Sequence, residues 1–313
     1  MRSSILAASI LCIAGGSLAA QAAPSDPLLR LASIPAPIGH ERLLADTLLA
    51  TLPDAARDRA GNVVLTLGRG TPRRLVACPM DEPGWIVGGI RDDGYLTVRR
   101  LPGRTPPLFD QHAEGQRIVL LGDNGPVPGV VGVRSVHLTR GRSGNDEPFT
   151  FDDAFVDVGA ADADEVAALG IRVTTPFVLA KTPQPYGKSL VAAPSIGTRA
   201  ACSALVRAAV ARPRGTVVVA FVVEQGLSAR GLLTVGNEAG PFDETIVLDA
   251  GDGMRDVAVA VDSMRRPRHG EALGKLSRWR LRDRFDGWPA ETVSLDDVAA
   301  LEARLRDWIG GKP

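Results

Sequence analysis

Three short stretches deliver carboxylates to the end of an apolar run. "LVACPMDEPGW" (75–85) carries Asp81 and Glu82, "TVVVAFVVEQG" (216–226) carries Glu224, and "TIVLDAG" (245–251) carries Asp249. A buried strand that ends in acids is a common way to build a site in an α/β protein, because open sheets bind ligands at the carboxyl ends of their strands. In a metal site of that kind a histidine belongs beside the acids, since an imidazole nitrogen is the usual ligand and a nearby carboxylate orients it. Pro79 stands there instead, with no side-chain donor or acceptor and no backbone N–H.

The four histidines are His40, His112, His137 and His269. None lies in a His-x-x-x-His or His-Glu-x-x-His pattern, so the helical zinc-protease motifs are absent, and each reads as a turn or surface residue. There is no Gly-x-Ser-x-Gly elbow, no phosphate-cradling Gly-rich loop and no Gly-x-Gly-x-x-Gly. Ser195 and Ser228 have no histidine in their local sequence, which leaves serine hydrolysis unsupported. The short basic run "MRRPRHG" (264–270) reads as a solvated loop rather than an anion site.

Lys+Arg number 36 against Asp+Glu 36, so no net field draws the chain to nucleic acid or to an anionic membrane. Aromatic content is 4%, and the core must be built from Leu, Val, Ile and Ala. The N-terminal "MRSSILAASILCIAGGSLAAQAAPSDP" has one basic residue, an apolar stretch and small residues at Ala20 and Ala22. That is the pattern of a cleavable secretory signal over 1–22, and it implies a secreted or periplasmic protein with no membrane contact after cleavage. Cleavage removes Cys12 and leaves Cys78 and Cys202. They could pair in an oxidising compartment, but two buried free thiols are the expectation. Without a Cys-x-x-Cys, a structural zinc site is excluded on ligand count.

The elements that must position these residues follow from periodicity. An amphipathic helix carries Leu43, Leu44, Leu48 and Leu49 on one face, and strands follow over 62–68 and 73–78. From 85 to about 180 short β runs alternate with Gly, Pro and Asp turns around one small helix. Then the α/β texture returns: helix 198–211, strand 216–223, helix 229–240, strand 245–251 and strand 256–262. A last helix is capped by Ser294, with Leu295, Val298, Leu301 and Leu305 along one stripe. The expected architecture is a discontinuous α/β core (23–82 and 183–313) with a small, mainly β domain inserted at 83–182.

The order of these elements resembles the glutamyl/deblocking, tetrahedral-type aminopeptidases, a family of dizinc exopeptidases. The resemblance runs from about Leu31 to Leu305. It rests on "SIPAPIGHE", "GNVVLTLG", "MDEPGWIVGGIRDDGYLTV", "VPGVVGV..VHL", "FVDVGAADADEVAALGI", "AFVVEQGLSARGLLT", "IVLDAG" and "ETVSLDDVAALEARL". It implies a three-layer α/β core of the dizinc-exopeptidase type around the inserted β domain.

For the site, the resemblance implies two metals held by a histidine, a bridging aspartate, a glutamate, an aspartate and a second histidine, with a further glutamate as general base. The first histidine falls on Pro79, two residues before Asp81. The stretch opened by the bridging aspartate reads Gly197-Thr198-Arg199, keeping only the arginine. The Glu-Glu pair falls on Gln225 and Gly226, and a shift of one residue would rescue Glu224 alone. The aspartate ligand is kept as Asp249, and the last histidine falls on Gly287. Between Asp249 and Gly287 the chain is several tens of residues shorter than the resemblance implies.

A catalytic zinc takes about three protein ligands, and a two-metal site needs a bridging carboxylate as well. Asp249 alone cannot hold zinc. The expectation is therefore an exported, catalytically inactive relative of metallo-aminopeptidases, with no cofactor, that acts as a binding or structural protein. It would take a peptide or small ligand in a degenerate cleft lined by Pro79, Asp81, Gly197, Arg199, Gln225, Gly226, Asp249 and Gly287, and homo-oligomers are open to it. The competing expectation is an active aminopeptidase using zinc or cobalt through relocated ligands, with Glu224 as base and a histidine such as His269 recruited from elsewhere.

Overall fold

The structure is a computed structural model that describes residues 26–102, 105, 109–132, 151, 154–251 and 257–312. The expected signal segment at 1–22 and His137 lie outside the described residues. Among the described residues no helix is long and apolar enough to cross a membrane.

The chain begins with α1 (Pro27–Ala32), whose N-terminus is capped by the Asp26 carboxylate, and α2 (Arg42–Thr51). Leu44 and Leu48 are the buried face of α2, whereas Leu43 is 39% exposed. β1 (Ala56–Arg57), β2 (Val63–Gly68) and β3 (Arg73–Pro79) open the sheet. The chain then leaves it to form β4 (Trp85–Ile90), β5 (Leu96–Arg100), β6 (Arg117–Gly122), β7 (Gly125–Gly132), β8 (Phe155–Asp157), α3 (Ala163–Ala168) and β9 (Pro176–Leu179). It returns through the hairpin β10 (Gln184–Tyr186) and β11 (Leu190–Ala192) into α4 (Ile196–Ala208), β12 (Thr216–Val222), α5 (Arg230–Ala239) and β13 (Glu244–Gly251). β14 (Val259–Ser263), β15 (Lys275–Arg284), β16 (Thr292–Ser294) and α6 (Leu295–Ile309) complete it.

The main sheet has ten strands, nine of them in the order β1-β2-β12-β3-β13-β15-β16-β11-β10, with β14 paired to β15. β3 is parallel to both β12 and β13, and β13 is parallel to β15. Alternation along β3 explains the three layers. Val76 and Cys78 point into one core, with Leu31 of α1, Leu205 of α4 and Leu301 of α6. Leu75 and Ala77 point into the other, with Leu232 and Val235 of α5. Strands buried on both faces read as continuous apolar runs, as "TVVVAFV" does. Pro79 is tolerated at the end of a central strand because β13 stops pairing with β3 at Ala77, so no ladder donor is missed on that side.

The six strands β4-β5-β8-β7-β6-β9 close into a small barrel. Its core is organised by Trp85, which stacks on Phe109 at 5.2 Å and on Phe177 at 5.7 Å. The architecture is thus the expected α/β core with a small β insert.

Two readings of detail change. β15 is a ten-residue strand through "KLSRWRLRDR", a stretch with no strand expected, and it stands between β13 and β16. Leu295 is 37% exposed at the start of α6, whose buried face is Val298, Leu301, Leu305, Trp308 and Ile309. The Ser294 cap is present, accepting from Asp296 N–H at 3.2 Å.

Candidate functional site

The carboxyl ends of β3, β12, β13 and β15 open onto one cleft of ≈ 680 Å³ between the sheet and the barrel. Pro79, Asp81, Gln225, Gly226, Asp249 and Gly287 all line it, as do Ser195 and Thr198 at the start of α4. Gly197 and Arg199 lie behind that surface, fully enclosed. Glu224 is half-buried next to the cleft and pairs with Arg230 at 3.0 Å. His269 and Ser228 are exposed and do not line it. The sequence therefore places its candidate residues together, with three exceptions: Glu224 turned aside, and His269 and Ser228 elsewhere.

The floor is built on buried charge. Glu82 accepts from Lys181 Nζ at 2.6 Å and from Ala36 N–H at 2.8 Å, and it pairs with Arg199 at 3.2 Å. All three side chains are at most 2% exposed. Burial by itself would raise the Glu82 carboxyl, but the two cations hold it below the ordinary range. Lys181 also donates to Pro194 O at 2.6 Å, and Arg199 donates to Met80 O at 2.7 Å, so the cations tie the start of α4 to the end of β3.

Asp81 is more than an orienting residue for a neighbour. Its two oxygens accept from Gln225 N–H at 3.2 Å and Gly226 N–H at 2.9 Å, which holds the loop after β12 against the end of β3. That loop carries positive φ at Glu224, Ser228 and Ala229, none of them glycine. Glu41 braces it from the other side, accepting from Glu224 N–H at 3.0 Å. Burial pushes the carboxyls of Asp81, Glu41 and Asp249 above the ordinary range. Asp249 accepts from Ala250 N–H and pairs with Arg278 of β15 at 3.4 Å.

Glu291 is the residue that motif reading missed. It is 4% exposed, and its carboxylate accepts from Gly197 N–H at 2.6 Å and Gly287 N–H at 3.1 Å. Burial raises its pKa to about 7, with further help from Asp286. An ideal Cβ built on Gly197 would stand 2.4 Å from Ala250 Cβ, 2.7 Å from Asp283 Oδ2 and 2.7 Å from Glu291 Oε1. Asp283, Asp286 and Glu291 each place a carboxylate oxygen within 4.8 Å of the others. The only sequence signal for this cluster was the glutamate of "ETVSL", which has no apolar strand in front of it.

The wall opposite is apolar and aromatic: Trp85 and Phe109 from the barrel side, and Trp288 from the loop after β15. Trp288 is 51% exposed and packs on His112 of the barrel at 4.5 Å, so His112 is a packing residue at this junction rather than a surface one.

Cys78 and Cys202 are disulfide-bonded, with Cα atoms 5.5 Å apart. This corrects the expectation of two free thiols. β3 and α4 pack directly, and the two side chains meet in the core at 0% and 1% exposure.

The sequence profile of the M42 glutamyl aminopeptidases matches residues 61–270. The chain belongs to the M42 glutamyl aminopeptidase family. Among curated relatives, the SgcX protein of Escherichia coli (strain K12) is 33% identical over 208 residues, covering 63% of this chain and 54% of SgcX. The lysyl aminopeptidase of Pyrococcus furiosus is 28% identical over 196 residues, covering 62% of this chain and 56% of that protein. The matched region thus spans little more than half the length of these relatives. The fold is that of the Pyrococcus horikoshii TET1 peptidase, described as assembling into a tetrahedron or a large octahedral shell. It superposes with a TM-score of 0.80 at 20% identity, over 91% of this chain and 98% of that one. M42 membership puts the expectation of a metal-free protein in question, because the family is one of metal-dependent aminopeptidases.

Proposed function

We propose that this chain is an M42-type scaffold whose peptidase centre has been dismantled, leaving an exported protein that binds a peptide or small ligand in the cleft or serves a structural role. The observation that carries the reading is the crowding at Gly197. At the position where the family resemblance implies a bridging aspartate, the space a side chain would need is already held by Ala250, Asp283 and Glu291. The other implied ligand positions support it: Pro79, Gly226 and Gly287 have no side-chain donor atom, and Gln225 carries a neutral amide. A dizinc centre of the implied kind does not fit that donor set, since Asp249 is its single carboxylate and zinc needs about three protein ligands. Export is supported by the sequence of the first 22 residues and by the buried disulfide, which persists in oxidising compartments. Homo-oligomers are part of the proposal, supported by the assemblies described for structural neighbours.

A second reading is favoured by one observation. The carboxylates of Asp283, Asp286 and Glu291 lie close enough together to hold a cation, which would make this an aminopeptidase with relocated ligands. Metal content of the purified protein, thermal unfolding with and without added zinc or cobalt, and turnover of a panel of aminoacyl anilides separate the two. The expected result is sub-stoichiometric metal, an unchanged melting temperature and no turnover, because an ion that does not bind the native state cannot stabilise it. Turnover of an anilide together with a melting temperature raised several degrees by micromolar zinc, a rise that disappears in Glu291→Gln, would establish the second reading.

A further inference from the structure

The main sheet ends on β1 and β10, and β14 forms a further edge beside β15. Sheet edges invite pairing with another chain, and proteins blunt them with short strands, proline or charge. β1 has only two residues, and β10 has three, one of them Pro185, which lacks an N–H. β14 has five residues, Val259 to Ser263, and its one charge, Asp262, is held by Arg280 of β15 at 2.8 Å. Pairing with β15 decides which main-chain groups of β14 are left over. Arg282 N–H donates to Ala258 O at 2.9 Å and Met264 N–H to Leu276 O at 3.4 Å, with Ala260 opposite Arg280 and Asp262 opposite Arg278. In an antiparallel pair, alternate residues exchange their bonds with the same neighbour. The even-numbered residues therefore face β15, and Val259, Val261 and Ser263 turn their N–H and C=O groups to the open side. Among the described residues, that side accepts one hydrogen bond, from Arg304 Nη1 to Val259 O at 3.4 Å. Arg304 is exposed and also lies over the Trp279 ring.

The side chains of the open edge are apolar on one face. Val261 stands opposite Trp279 and is 48% exposed. With Ser263, Ser277, Trp279 and Trp308 it lines a groove of ≈ 760 Å³. We infer that β14 is the surface on which two copies of this chain pair, edge to edge and antiparallel, about a two-fold axis through Val261. The inference rests on the homo-oligomers proposed above and is independent of what the cleft holds.

The register follows from the strand itself. Val261 is the midpoint of β14, so an axis there keeps the whole strand paired. Val261 then faces its own counterpart, and Val259 faces Ser263 of the second copy, so every residue with a free N–H and C=O meets another. Asp262 falls opposite Ala260, and no like charges meet. Sliding the axis to Asp262 would set two carboxylates face to face, which is destabilising. Sliding it to Ala260 drops Ser263 from the paired segment. On the groove face, the two Val261 side chains meet between two Trp279 rings, which covers apolar surface that the single chain leaves open. Arg304 gives up Val259 O, and water replaces that bond because the side chain is exposed. The contact uses the same patch on both copies, so it closes at two.

Sedimentation velocity across the micromolar range tests this on the natural protein, on Val261→Lys and Val261→Asp separately, and on their equimolar mixture. The natural protein is expected to form dimers. Each variant alone sets two like charges against each other at the axis, and should raise the dissociation constant on the order of tenfold or more. The mixture should restore dimers with one copy of each variant, because lysine then faces aspartate. Oligomers of unchanged strength in both variants would overturn this surface while leaving homo-oligomers in place. A natural protein that stays monomeric would overturn both. Association lost in the variants and not recovered in the mixture would overturn the two-fold axis at Val261, and the inference with it. If the variants do not fold, hydrogen exchange of the natural protein decides. Protection of 257–264 that rises with protein concentration upholds the pairing, and protection independent of concentration overturns it.

Discussion

Glu291 Oε1 accepts the backbone N–H of Gly197 at 2.6 Å, and a Cβ on Gly197 would lie 2.7 Å from that same oxygen. The acid and the glycine define each other. A side chain at 197 and the carboxyl of Glu291 cannot share the space, so the glycine at the first turn of α4 is a packing requirement. Within a helix, Gly→Ala ordinarily stabilises by about 0.5–1 kcal/mol. Here the sign should reverse. Gly197→Ala is expected to destabilise by about 1–3 kcal/mol, the usual cost of forcing a methyl group into a filled core. Urea unfolding measures it, and a neutral or stabilising result would show that Glu291 and Ala250 yield easily.

The protonation of Glu291 gives a pH signature. Its folded pKa is raised from the ordinary 4.5 to about 7, so the folded state holds a proton that the unfolded chain releases. Stability from this group is complete below about pH 4.5, declines as pH rises, and is lost above about pH 7, at a limiting slope of about 1.4 kcal/mol per pH unit. Glu82, held low by its cations, acts in the opposite direction, and its contribution is lost only as pH falls below the ordinary carboxyl range. The expected profile between pH 5 and pH 7.5 is a falling unfolding free energy. Glu291→Gln should flatten it, because Gln keeps an acceptor for Gly197 N–H without a titrating proton. An unchanged slope in that variant would assign the dependence to Asp81, Asp249 or Glu41 instead.

Asp81 holds the loop after β12 by two backbone bonds, so its removal should be felt at a distance in sequence. Asp81→Ala leaves Gln225 and Gly226 N–H without their acceptor, at a cost of about 1–3 kcal/mol for each amide that stays dry. The loop with positive φ at Glu224, Ser228 and Ala229 is expected to relax, raising hydrogen exchange in 224–229 with little change in β13. Asp81→Asn, which keeps one acceptor oxygen, should cost less than Asp81→Ala. Equal costs for the two would mean that the carboxylate's charge, rather than its acceptors, holds the loop.

The parts of the fold and site that were legible share one property: their signal is local. Apolar runs ending in Asp81 and Asp249 mark strand ends directly, and Ser294 with Asp296 two residues on marks the start of α6. β15 was not legible because three of its part-buried positions are arginines satisfied by partners on other elements, Arg278 by Asp249, Arg280 by Asp262 and Arg282 by Asp297. As a string, "KLSRWRLRDR" has the charge of a loop; only the ion pairs make it a strand. Glu291 shows in the sequence only as the first residue of "ETVSLDDVAALEARL"; its partner Gly197 is 94 residues away, and no local pattern links them. The Cys78–Cys202 pairing is hidden for the same reason. Two cysteines 124 residues apart carry no information about a Cα separation of 5.5 Å until β3 and α4 are packed together.

The buried cations yield the last prediction. Lys181 and Arg199 share Glu82, and the three charges are shielded from water at the base of the cleft. The net worth of such a group is small, because desolvation offsets the attraction, but breaking it is costly, on the order of 3–5 kcal/mol, since a charge is left behind without its partner. Lys181→Met should therefore destabilise strongly even though methionine fills much of the same volume. Replacing the acid as well, in Lys181→Met/Glu82→Gln, removes one of the stranded charges and keeps an acceptor for Ala36 N–H. The double variant should lose less than the sum of the two single variants, with a coupling of about 0.5–3 kcal/mol between the sites. Arg199 limits the recovery, because in the double variant it keeps Met80 O but loses its counter-charge. Strictly additive single effects would mean that Lys181 acts through Pro194 O, tethering the start of α4, and that its charge toward Glu82 is incidental.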